Sequence, residues 1–367
     1  MKFSVNRDEL LRPLQQVSGV VERKQTQPIL SNVLIVADAD QLSLTGTDLE
    51  IELVAKIGLT GEVLPGEITV PARKLLDICK SLPAGSEITI SKVDQKLVVK
   101  AGKSRFSLIT LPAVDFPNLE ETVGLLEFTI DPQNFIGIVG QTAFSMAQQD
   151  IRHYLNGMLL EVSQGHIRSV ATDGHRLALA DVSIDFAGED TEQIILPRKG
   201  VLELSRVLSD YVDPVRVSIG SNHLRVATAS FTFTSKLVDG KYPDYMRVLP
   251  KRSDRKIFAN REELRQALQR VAILSNEKYR GIRVLVSNDQ IQITANNPEQ
   301  EEAEEQVSVT YEGEPIEVGF NVSYLLDVLN VIKEEQVVFD IADSNSSAII
   351  YGQDNEGSLY VVMPMRL

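Results

Sequence analysis

Acid–base chemistry has one candidate pair of residues in this sequence. Asp173 and His175 lie two positions apart in the segment ATDGHRL, and a carboxylate beside an imidazole is a common arrangement for general acid–base catalysis. An Asp-Gly pair is also a strong signal for a tight turn. The segment therefore has two interpretations, a catalytic pair or a turn.

The other reactive residue types give little support to an enzyme. The chain holds four His and one Cys, Cys79, and their spacing matches no metal-ligand pattern. The patterns G-x-S-x-G, G-x-G-x-x-G and HExxH and the P-loop do not occur in the sequence, so the common signatures of hydrolases, dinucleotide enzymes, zinc proteases and NTPases are missing. We therefore expect a protein that is not an enzyme and that uses no cofactor or metal.

Composition limits the class of protein. Of the 367 residues, 43% are hydrophobic and 24% are charged, which is typical of a globular chain with two or three domains. No apolar run approaches the roughly 20 residues of a membrane helix, and the segment MKFSVNRDELL lacks the apolar part of a secretory signal. A single Cys allows no intrachain disulfide, so we expect a cytoplasmic protein without membrane contact.

An internal repeat is the most informative feature of the sequence. Related blocks begin at Phe3, Phe128 and Phe258 with FSVNRDELLRPLQ, FTIDPQNFIGIVG and FANREELRQALQ. Each block predicts a short strand, an Asn or Asp that caps a helix, and a helix with one apolar side. Alternating apolar residues then predict antiparallel strands.

A second strand–helix unit follows in each block. These units read ITVPARKLLDICKSL, IILPRKGVLELSRVL and VGFNVSYLLDVLNVI, and their helices are expected to begin near Pro71, Pro197 and Asn321, about 125 residues apart. Six similar half-units in the same order argue against a chance likeness. We therefore predict an α+β protein of three pseudo-repeated domains, with bounds 1–125, 126–250 and 251–367.

The charge pattern is open to more than one interpretation. A formal net charge of −14 argues against DNA binding, since phosphate attracts Lys and Arg, although an acidic protein can still carry a basic surface. Helices packed on one side of the sheets would form a face with cations such as Arg7, Arg12 and Arg206, but ordinary solvated helices carry such residues too. A basic segment at 100–106 and an acidic segment at 299–305 favour head-to-tail association into a ring. A solvated acidic loop is the alternative for the second segment.

Long segments of the sequence resemble one known family, the beta subunit of bacterial DNA polymerase III, or sliding clamp. They include LSLTGTDLE, VPARK, LNGMLLEV, TDGHRL, FTSKLVDGKYPDY, ANNPEQEEAEE and GFNVSYLLDVL, and the similarity runs through the whole chain. Within this family, the sequence looks most like the gammaproteobacterial branch. The resemblance implies the DNA clamp fold, in which helices line a central hole and antiparallel sheets lie outside.

The resemblance also implies function and partners. The expected assembly is a head-to-tail homodimer that encircles duplex DNA without sequence specificity and tethers the replicative polymerase for processive synthesis. Expected protein partners are the DNA polymerase III alpha subunit, the clamp loader, other polymerases and repair proteins, all bound through short linear motifs. A repeat scaffold that binds peptides but never encircles DNA is the rival interpretation.

Three sets of functional residues follow from the resemblance. The DNA-binding positions are Lys24, Arg73, Gln149, His153 and Tyr154, with Arg198, Lys199 and Arg247 as further candidates. The partner-peptide groove between the central and C-terminal domains is formed by Leu155, Thr172, Gly174, His175, Arg176, Leu177, Pro243, Val248, Asn321, Tyr324, Ser347, Val361, Met363, Pro364, Met365 and Arg366. The dimer interface is formed by Lys74, Lys103, Arg105, Phe106, Leu108, Ile273, Leu274, Glu299, Glu302 and Glu305.

Some of these positions depart from the pattern of close relatives. Lys24 stands where an Arg is familiar, and Lys keeps the charge but lacks the bidentate fork. His153 stands where a Tyr is familiar, and its flat ring adds a pH-dependent charge. Asn345 stands beside the groove where an apolar residue is expected, which predicts a more polar wall. The segment VVMPMRL predicts a buried strand whose flexible methionines serve several partners at its rim.

Overall fold

The computed structural model describes residues 1–22, 27–119, 124–186, 188, 191–355 and 357–366. Contacts divide the chain into two compact units, one formed by Met1–Gln133 and Lys199–Leu237 and the other by Asn134–Arg198 and Val238–Leu367. Within the described ranges, no helix combines the length and the apolar character needed to cross a membrane.

Each repeat contains two strand–helix half-units, each followed by further strands. The first repeat has β1 (Lys2–Asn6), α1 (Arg7–Val20), β2 (Asn32–Ala37), β3 (Gln41–Thr47), β4 (Ile51–Gly58), β5 (Gly66–Pro71), α2 (Ala72–Ser81), β6 (Glu87–Val93), β7 (Lys96–Ala101) and β8 (Ser104–Ile109). The second has β9 (Leu126–Ile130), α3 (Pro132–Thr142), β10 (Gly157–Ser163), β11 (His166–Thr172), β12 (Arg176–Ser183), β13 (Glu192–Pro197), α4 (Arg198–Leu208), β14 (Val215–Ile219), β15 (His223–Ala227) and β16 (Phe231–Lys236). The third has β17 (Lys256–Asn260), α5 (Arg261–Val271), β18 (Gly281–Ser287), β19 (Gln290–Asn296), β20 (Glu302–Tyr311), β21 (Ile316–Asn321), α6 (Val322–Val331), β22 (Gln336–Asp340), β23 (Ala348–Gly352) and β24 (Ser358–Val362).

Helix starts follow the caps that the sequence contains. The Asn6 side chain accepts a hydrogen bond from the Asp8 amide at 2.9 Å, and Asn260 accepts from the amides of the first turn of α5 at 3.1 Å. Asp131 caps α3 and Asn321 caps α6 in the same way. These side chains satisfy amides that have no partner inside the helix. The starts predicted near Pro71, Pro197 and Asn321 are confirmed by α2, α4 and α6.

The described residues of the first unit form two antiparallel sheets. One has the strand order β1-β6-β7-β8, and the other has the order β5-β2-β3-β4-β16-β15-β14-β9. Strand β4 belongs to the first repeat and β16 to the second, and they pair from Ile51↔Ser235 to Ala55↔Phe231. The eight-stranded sheet is therefore shared by two repeats. Helix α1 packs on β3 and β4 through the buried side chains of Leu10, Leu14 and Val17.

In the described part of the second unit, twelve strands form one sheet. Their order is β13-β10-β11-β12-β24-β23-β22-β17-β20-β19-β18-β21. Strand β12 of the second repeat pairs with β24 of the third from Arg176↔Val362 to Ala180↔Ser358. This junction has the same form as that between β4 and β16, because the strand that closes the first half of one repeat meets the last strand of the next.

Gly46 lies where helix α1 crosses strand β3. A Cβ atom at this position would stand 2.8 Å from both Cγ1 and the carbonyl oxygen of Val17, which is well inside van der Waals contact. We expect Gly46→Ala to lower the free energy of unfolding by about 1–3 kcal/mol, the usual cost of overpacking a core. Denaturant titration measures this loss, with Gly58→Ala as the control because a Cβ atom there meets nothing within 4 Å. Equal midpoints for the two variants would contradict the close approach.

Candidate functional site

A groove opens on the surface of the second unit. It lies where the start of strand β12 is next to the end of strand β24. Its lining residues are Arg152, Leu155, Thr172, Gly174, Arg176, Leu177, Pro243, Tyr245, Val248, Ser347, Val361 and Met363. All of these except Arg152 and Tyr245 belong to the set that the sequence resemblance implied. The structure therefore brings together residues of the second and third repeats.

The floor of the groove is apolar. Leu155, Leu177 and Val361 are all less than 5% exposed and belong to the buried cluster under β10, β11 and β12. At the rim, Val248 and Met363 are 58% and 48% exposed. A concave apolar surface with exposed apolar side chains at its edge is suited to the side chains of a bound ligand.

The segment Thr172–Arg176 forms a tight turn along one side of the groove. The Asp173 carboxylate accepts hydrogen bonds from the amides of His175 at 2.9 Å and Arg176 at 3.1 Å. Gly174 has φ +91°, a backbone conformation that L side chains rarely adopt. The turn interpretation of Asp173 and His175 is thus confirmed, since the carboxylate is engaged by backbone amides and by Arg176.

Arg152 lies over this turn. Its guanidinium donates to both oxygens of Asp150, at 3.1 and 2.9 Å, and this hydrogen-bonded partner lowers the pKa of Asp150 to about 2. A Cβ atom on Gly174 would stand 3.1 Å from the Arg152 guanidinium. In the chain, Arg152 lies close to Gln149, a predicted DNA-binding residue. No sequence pattern indicated that Arg152 itself contacts the groove.

Tyr245 forms another part of the wall that sequence reasoning missed. Its hydroxyl accepts a hydrogen bond from Arg168 at 3.1 Å and donates to Glu161 at 3.2 Å, while Arg168 is paired with Asp181 at 2.7 Å. Burial raises the pKa of Tyr245, so the ring stays neutral. The aromatic segment YPDYM was the available signal, but it did not show which ring faces the groove.

The remaining predicted groove residues lie next to the lining or on α6 and β21. The exposed His175 accepts a hydrogen bond from the Met363 amide through its carbonyl oxygen, at 3.0 Å. Tyr324 stacks under Arg176 at 4.5 Å. Met365 donates to the Gly319 carbonyl at 2.9 Å, and Pro364 and Arg366 flank it in the chain. Asn321 holds the start of α6. Asn345 is exposed in the loop before Ser347.

The strand and rim predicted for VVMPMRL are both present. Tyr360, in β24, is 0% exposed, and the strand pairs with β12 and β23. Met363 follows the strand and reaches the groove. The segment therefore combines a buried strand with an exposed methionine.

The predicted DNA-binding residues occupy different settings. Lys24 lies outside the described residues. Arg73 is exposed on α2, and Gln149 is exposed in a left-handed backbone conformation with φ +57°. His153 and Tyr154 lie in the short 3-10 helix His153–Asn156, where His153 is exposed.

The other three candidates have partners within the chain. The Lys199 ammonium contacts Glu22 at 2.7 Å and also the carboxylate of Asp48, whose side chain is 2% exposed. Arg198 donates to the Ala143 carbonyl at 3.4 Å. Arg247 pairs with Asp244 at 2.8 Å but stays 85% exposed. The charge of Lys199 is therefore already balanced by two carboxylates.

Several cations that the sequence suggested for an exposed helical face are engaged elsewhere. Arg7 is 16% exposed and donates to the Cys79 carbonyl at 3.0 Å. Arg206 donates to the Gln16 carbonyl at 2.8 Å. These two side chains brace helices against each other, because a guanidinium can satisfy carbonyl groups near a helix end. The expectation that they face solvent was wrong for Arg7.

Two strand edges carry some of the residues predicted for the dimer interface. Strand β8, with Arg105, Phe106 and Leu108, is at the edge of its sheet. Residues 302–308 of β20 pair with β19, whereas β17 pairs with β20 only from Val309 to Tyr311. An edge of this kind presents backbone groups to another strand.

Side chains around the second edge differ in exposure. Ile273, in the 3-10 helix Ala272–Leu274, is 76% exposed, and Leu274 is half-buried. Glu305 accepts two hydrogen bonds from Arg270 of the same chain, at 2.6 and 2.9 Å. That partner was not expected from the sequence, and it lowers the pKa of Glu305. Lys74, Lys103, Glu299 and Glu302 are exposed.

The groove offers an apolar floor and rim against which a ligand could pack. The described residues contain no group of His, Cys, Asp and Glu that could hold a metal ion. Family models for the N-terminal, central and C-terminal domains of the DNA polymerase III beta subunit match residues 1–120, 129–244 and 246–366. The chain belongs to the family of DNA polymerase III beta subunits, the beta sliding clamps.

Individual relatives agree with this assignment. The chain is 59% identical over 367 residues to the beta sliding clamp of Pseudomonas aeruginosa and 53% identical to that of Escherichia coli K12, and each comparison covers 100% of both chains. A crystal structure of the sliding clamp from P. aeruginosa bound to griselimycin matches with a TM-score of 0.97 at 59% identity, again over 100% of both chains. The chain thus has the DNA clamp fold of a polymerase processivity factor, and this family is not a family of enzymes.

Proposed function

We propose that this chain encircles duplex DNA as a head-to-tail homodimer and that its groove binds short linear peptides from replication and repair proteins. The apolar groove lined by Leu155, Leu177, Val248, Val361 and Met363 is the observation that carries the proposal. Partners of this kind are the DNA polymerase III alpha subunit, the clamp loader, other polymerases and repair factors. One groove can serve them all because methionine adapts its shape to different side chains.

The same groove is the proposed binding site for griselimycin. The clamp of P. aeruginosa binds this compound, and the two chains are 59% identical over their full lengths. The exposed rim at Val248 and Met363 and the apolar floor provide the surface for it. Griselimycin is therefore a probe of the groove that needs no knowledge of the natural peptide sequences.

Contacts with DNA are proposed to be nonspecific. Arg73, Gln149 and His153 are exposed, and contacts from side chains to phosphate groups carry no information about base sequence. Tyr154 and Arg247 are further candidates, as are Arg198 and Lys24. Lys199 is proposed to act mainly at long range, because Glu22 and Asp48 hold its ammonium group. Retention of the clamp depends on encirclement, so tight contacts are unnecessary.

The proposed dimer repeats a junction that already occurs twice inside the chain. The closing strand of one half-repeat pairs with the last strand of the next repeat in β4–β16 and in β12–β24. By this pattern β20, which closes the first half of the third repeat, should pair with the last strand of a following repeat. Likewise β8, the last strand of the first repeat, should pair with the strand that closes the first half of a preceding repeat. Pairing β8 of one protomer with β20 of its partner supplies both, and it brings Lys103 and Arg105 towards an acidic strand with Glu302. The two joined surfaces differ, as in any head-to-tail contact, and contacts of this kind can close into a ring.

Domain bounds and location complete the proposal. The three domains are proposed to span 1–125, 126–250 and 251–367, and the matches of the family models to 1–120, 129–244 and 246–366 support this division. A replication clamp works where chromosomal DNA is copied, so we place the protein in the cytoplasm. The rival interpretation is a peptide-binding scaffold that does not encircle DNA. Such a scaffold would have the same groove but would not form a ring around DNA.

Loading onto DNA circles separates a clamp from a scaffold. We expect protein loaded by a clamp loader onto nicked circular duplex to stay on the DNA through gel filtration, and to be lost after the circle is cut. Topological retention ends when a free end appears, whereas binding through charge does not depend on ends. Retention on the cut DNA, with a steep loss as salt rises, would contradict encirclement.

A further inference from the structure

Arg176 lies at the centre of a contact network in the wall of the groove. It is the first residue of β12, and its side chain is only 12% exposed. The guanidinium donates to Asp173 Oδ2 at 3.0 Å, to Asp327 Oδ2 at 2.5 Å and to the Phe144 carbonyl at 2.8 Å. Each of its three nitrogens is therefore directed at an acceptor, which is the bonding that its planar fork favours.

Two aromatic rings hold the plane of the same guanidinium. Its central carbon lies 4.5 Å from the ring centre of Tyr324 and 5.3 Å from that of Phe144. The Phe144 ring in turn lies 6.0 Å from the ring of Tyr360, which is 0% exposed. Attraction between a cation and an aromatic ring grows when water is excluded, so Arg176 is fixed in orientation as well as in position.

Asp327 supplies the charged anchor from the third repeat. It lies on α6 one turn after Tyr324, and its side chain is 41% exposed. The residues that line the groove do not include it. Asp173 and Phe144 belong to the second repeat, so the Arg176–Asp327 pair links the two repeats beside the groove.

The residues on either side of Arg176 in the chain connect it to the floor and to the rim of the groove. Leu177, the next residue, is 3% exposed and forms part of the floor. On the other side, the carbonyl oxygen of His175 accepts a hydrogen bond from the amide of Met363. A shift of the turn Thr172–Arg176 would move Leu177 and Met363 relative to each other.

We propose that Asp327 is a positioning residue for the groove, whose carboxylate holds Arg176 in the orientation that fixes the turn Thr172–Arg176 and shapes the site for a bound peptide. This inference rests on the proposed peptide-binding function of the groove. Removal of the carboxylate loosens the turn because Arg176 loses its contact with Asp327. The fold stays in place because the carboxylate is partly exposed and lies outside the core.

Calorimetric titration with griselimycin tests the role of Asp327. Asp327→Asn is expected to bind griselimycin about tenfold more weakly than the unaltered protein, the loss typical of one charge-assisted hydrogen bond. Asp327→Glu is expected to restore the affinity to within about threefold, because it keeps the charge. Hydrogen exchange at the amides of His175 and Arg176 is expected to be faster in Asp327→Asn, with a Tm that falls by no more than about 2 °C.

The control is Glu335→Gln, which removes an exposed carboxylate just after α6 and is expected to bind griselimycin normally. Unchanged affinity and exchange in Asp327→Asn, while a Val248→Glu, Met363→Glu variant loses binding, would overturn the positioning role and leave the groove function standing. Weak binding with a large fall in Tm and no rescue by Asp327→Glu would overturn it in favour of a structural role. Failure of the unaltered protein to bind griselimycin would remove the proposed groove function and this inference with it.

Discussion

Ile273→Ala combined with Leu274→Ala is expected to convert the proposed dimer into folded monomers. Ile273 is 76% exposed and Leu274 is half-buried, so neither side chain is needed for the core of its own unit. Covering an apolar side chain of this size contributes about 1.5–3 kcal/mol, whereas an exposed ion pair contributes only about 0–1 kcal/mol. The apolar pair should therefore decide the association, and the proposed ion pairs of Lys103 and Arg105 should adjust it.

Sedimentation velocity at low micromolar concentration measures the outcome. The control combines Leu202→Ala with Val212→Ala, two substitutions at sites that are 45% and 80% exposed and outside the predicted interface. Circular dichroism should be the same for both variants. An intact dimer of the Ile273, Leu274 variant would contradict the proposed interface.

Introducing two carboxylates at the rim of the groove is expected to abolish ligand binding. Val248 and Met363 are 58% and 48% exposed, so Val248→Glu with Met363→Glu should leave the fold unchanged. A ligand that covers the rim would bury unpaired charge against an apolar floor, which is costly enough to weaken binding by more than about 100-fold.

Fluorescence anisotropy with labelled griselimycin measures this loss. Met246→Glu is the matched control, because Met246 is also 58% exposed and lies beside the groove segment without lining it. Circular dichroism and sedimentation velocity should be the same for both variants, since the substituted side chains are exposed and lie outside the core and the proposed dimer interface. Affinity of the rim variant within about threefold of the unaltered protein would show that the ligand binds elsewhere.

The parts of the fold that could be predicted from the sequence are those fixed by local patterns. A cap such as Asn6 or Asn260 depends on one side chain and the apolar spacing that follows it. The repeat then gave the order of the half-units. The pairing of β4 with β16 has no such signal, because an edge strand does not specify by sequence which distant strand it meets.

The groove shows the same limit at the level of side chains. Its residue set came from a family resemblance, and periodicity alone would not have brought Leu155 and Val361 together. Arg152 and Tyr245 line the groove because of tertiary packing, which sets the distances between separate segments. Ion pairs are equally nonlocal, and the engagement of Lys199 by Asp48 changes what a surface lysine can contribute.

The two strand junctions have a consequence for how such an assembly can be divided into chains. In both β4–β16 and β12–β24, the strand that closes the first half of one repeat pairs with the last strand of the next repeat, each over five residue pairs. If the joint between protomers copies the joint within a chain, then the closed assembly depends on the total number of repeats and not on where the peptide chain is interrupted. Two copies fused end to end, or a shorter chain present in more copies, would satisfy the same geometry. Closure of the ring would then place no constraint on the number of repeats in a single chain.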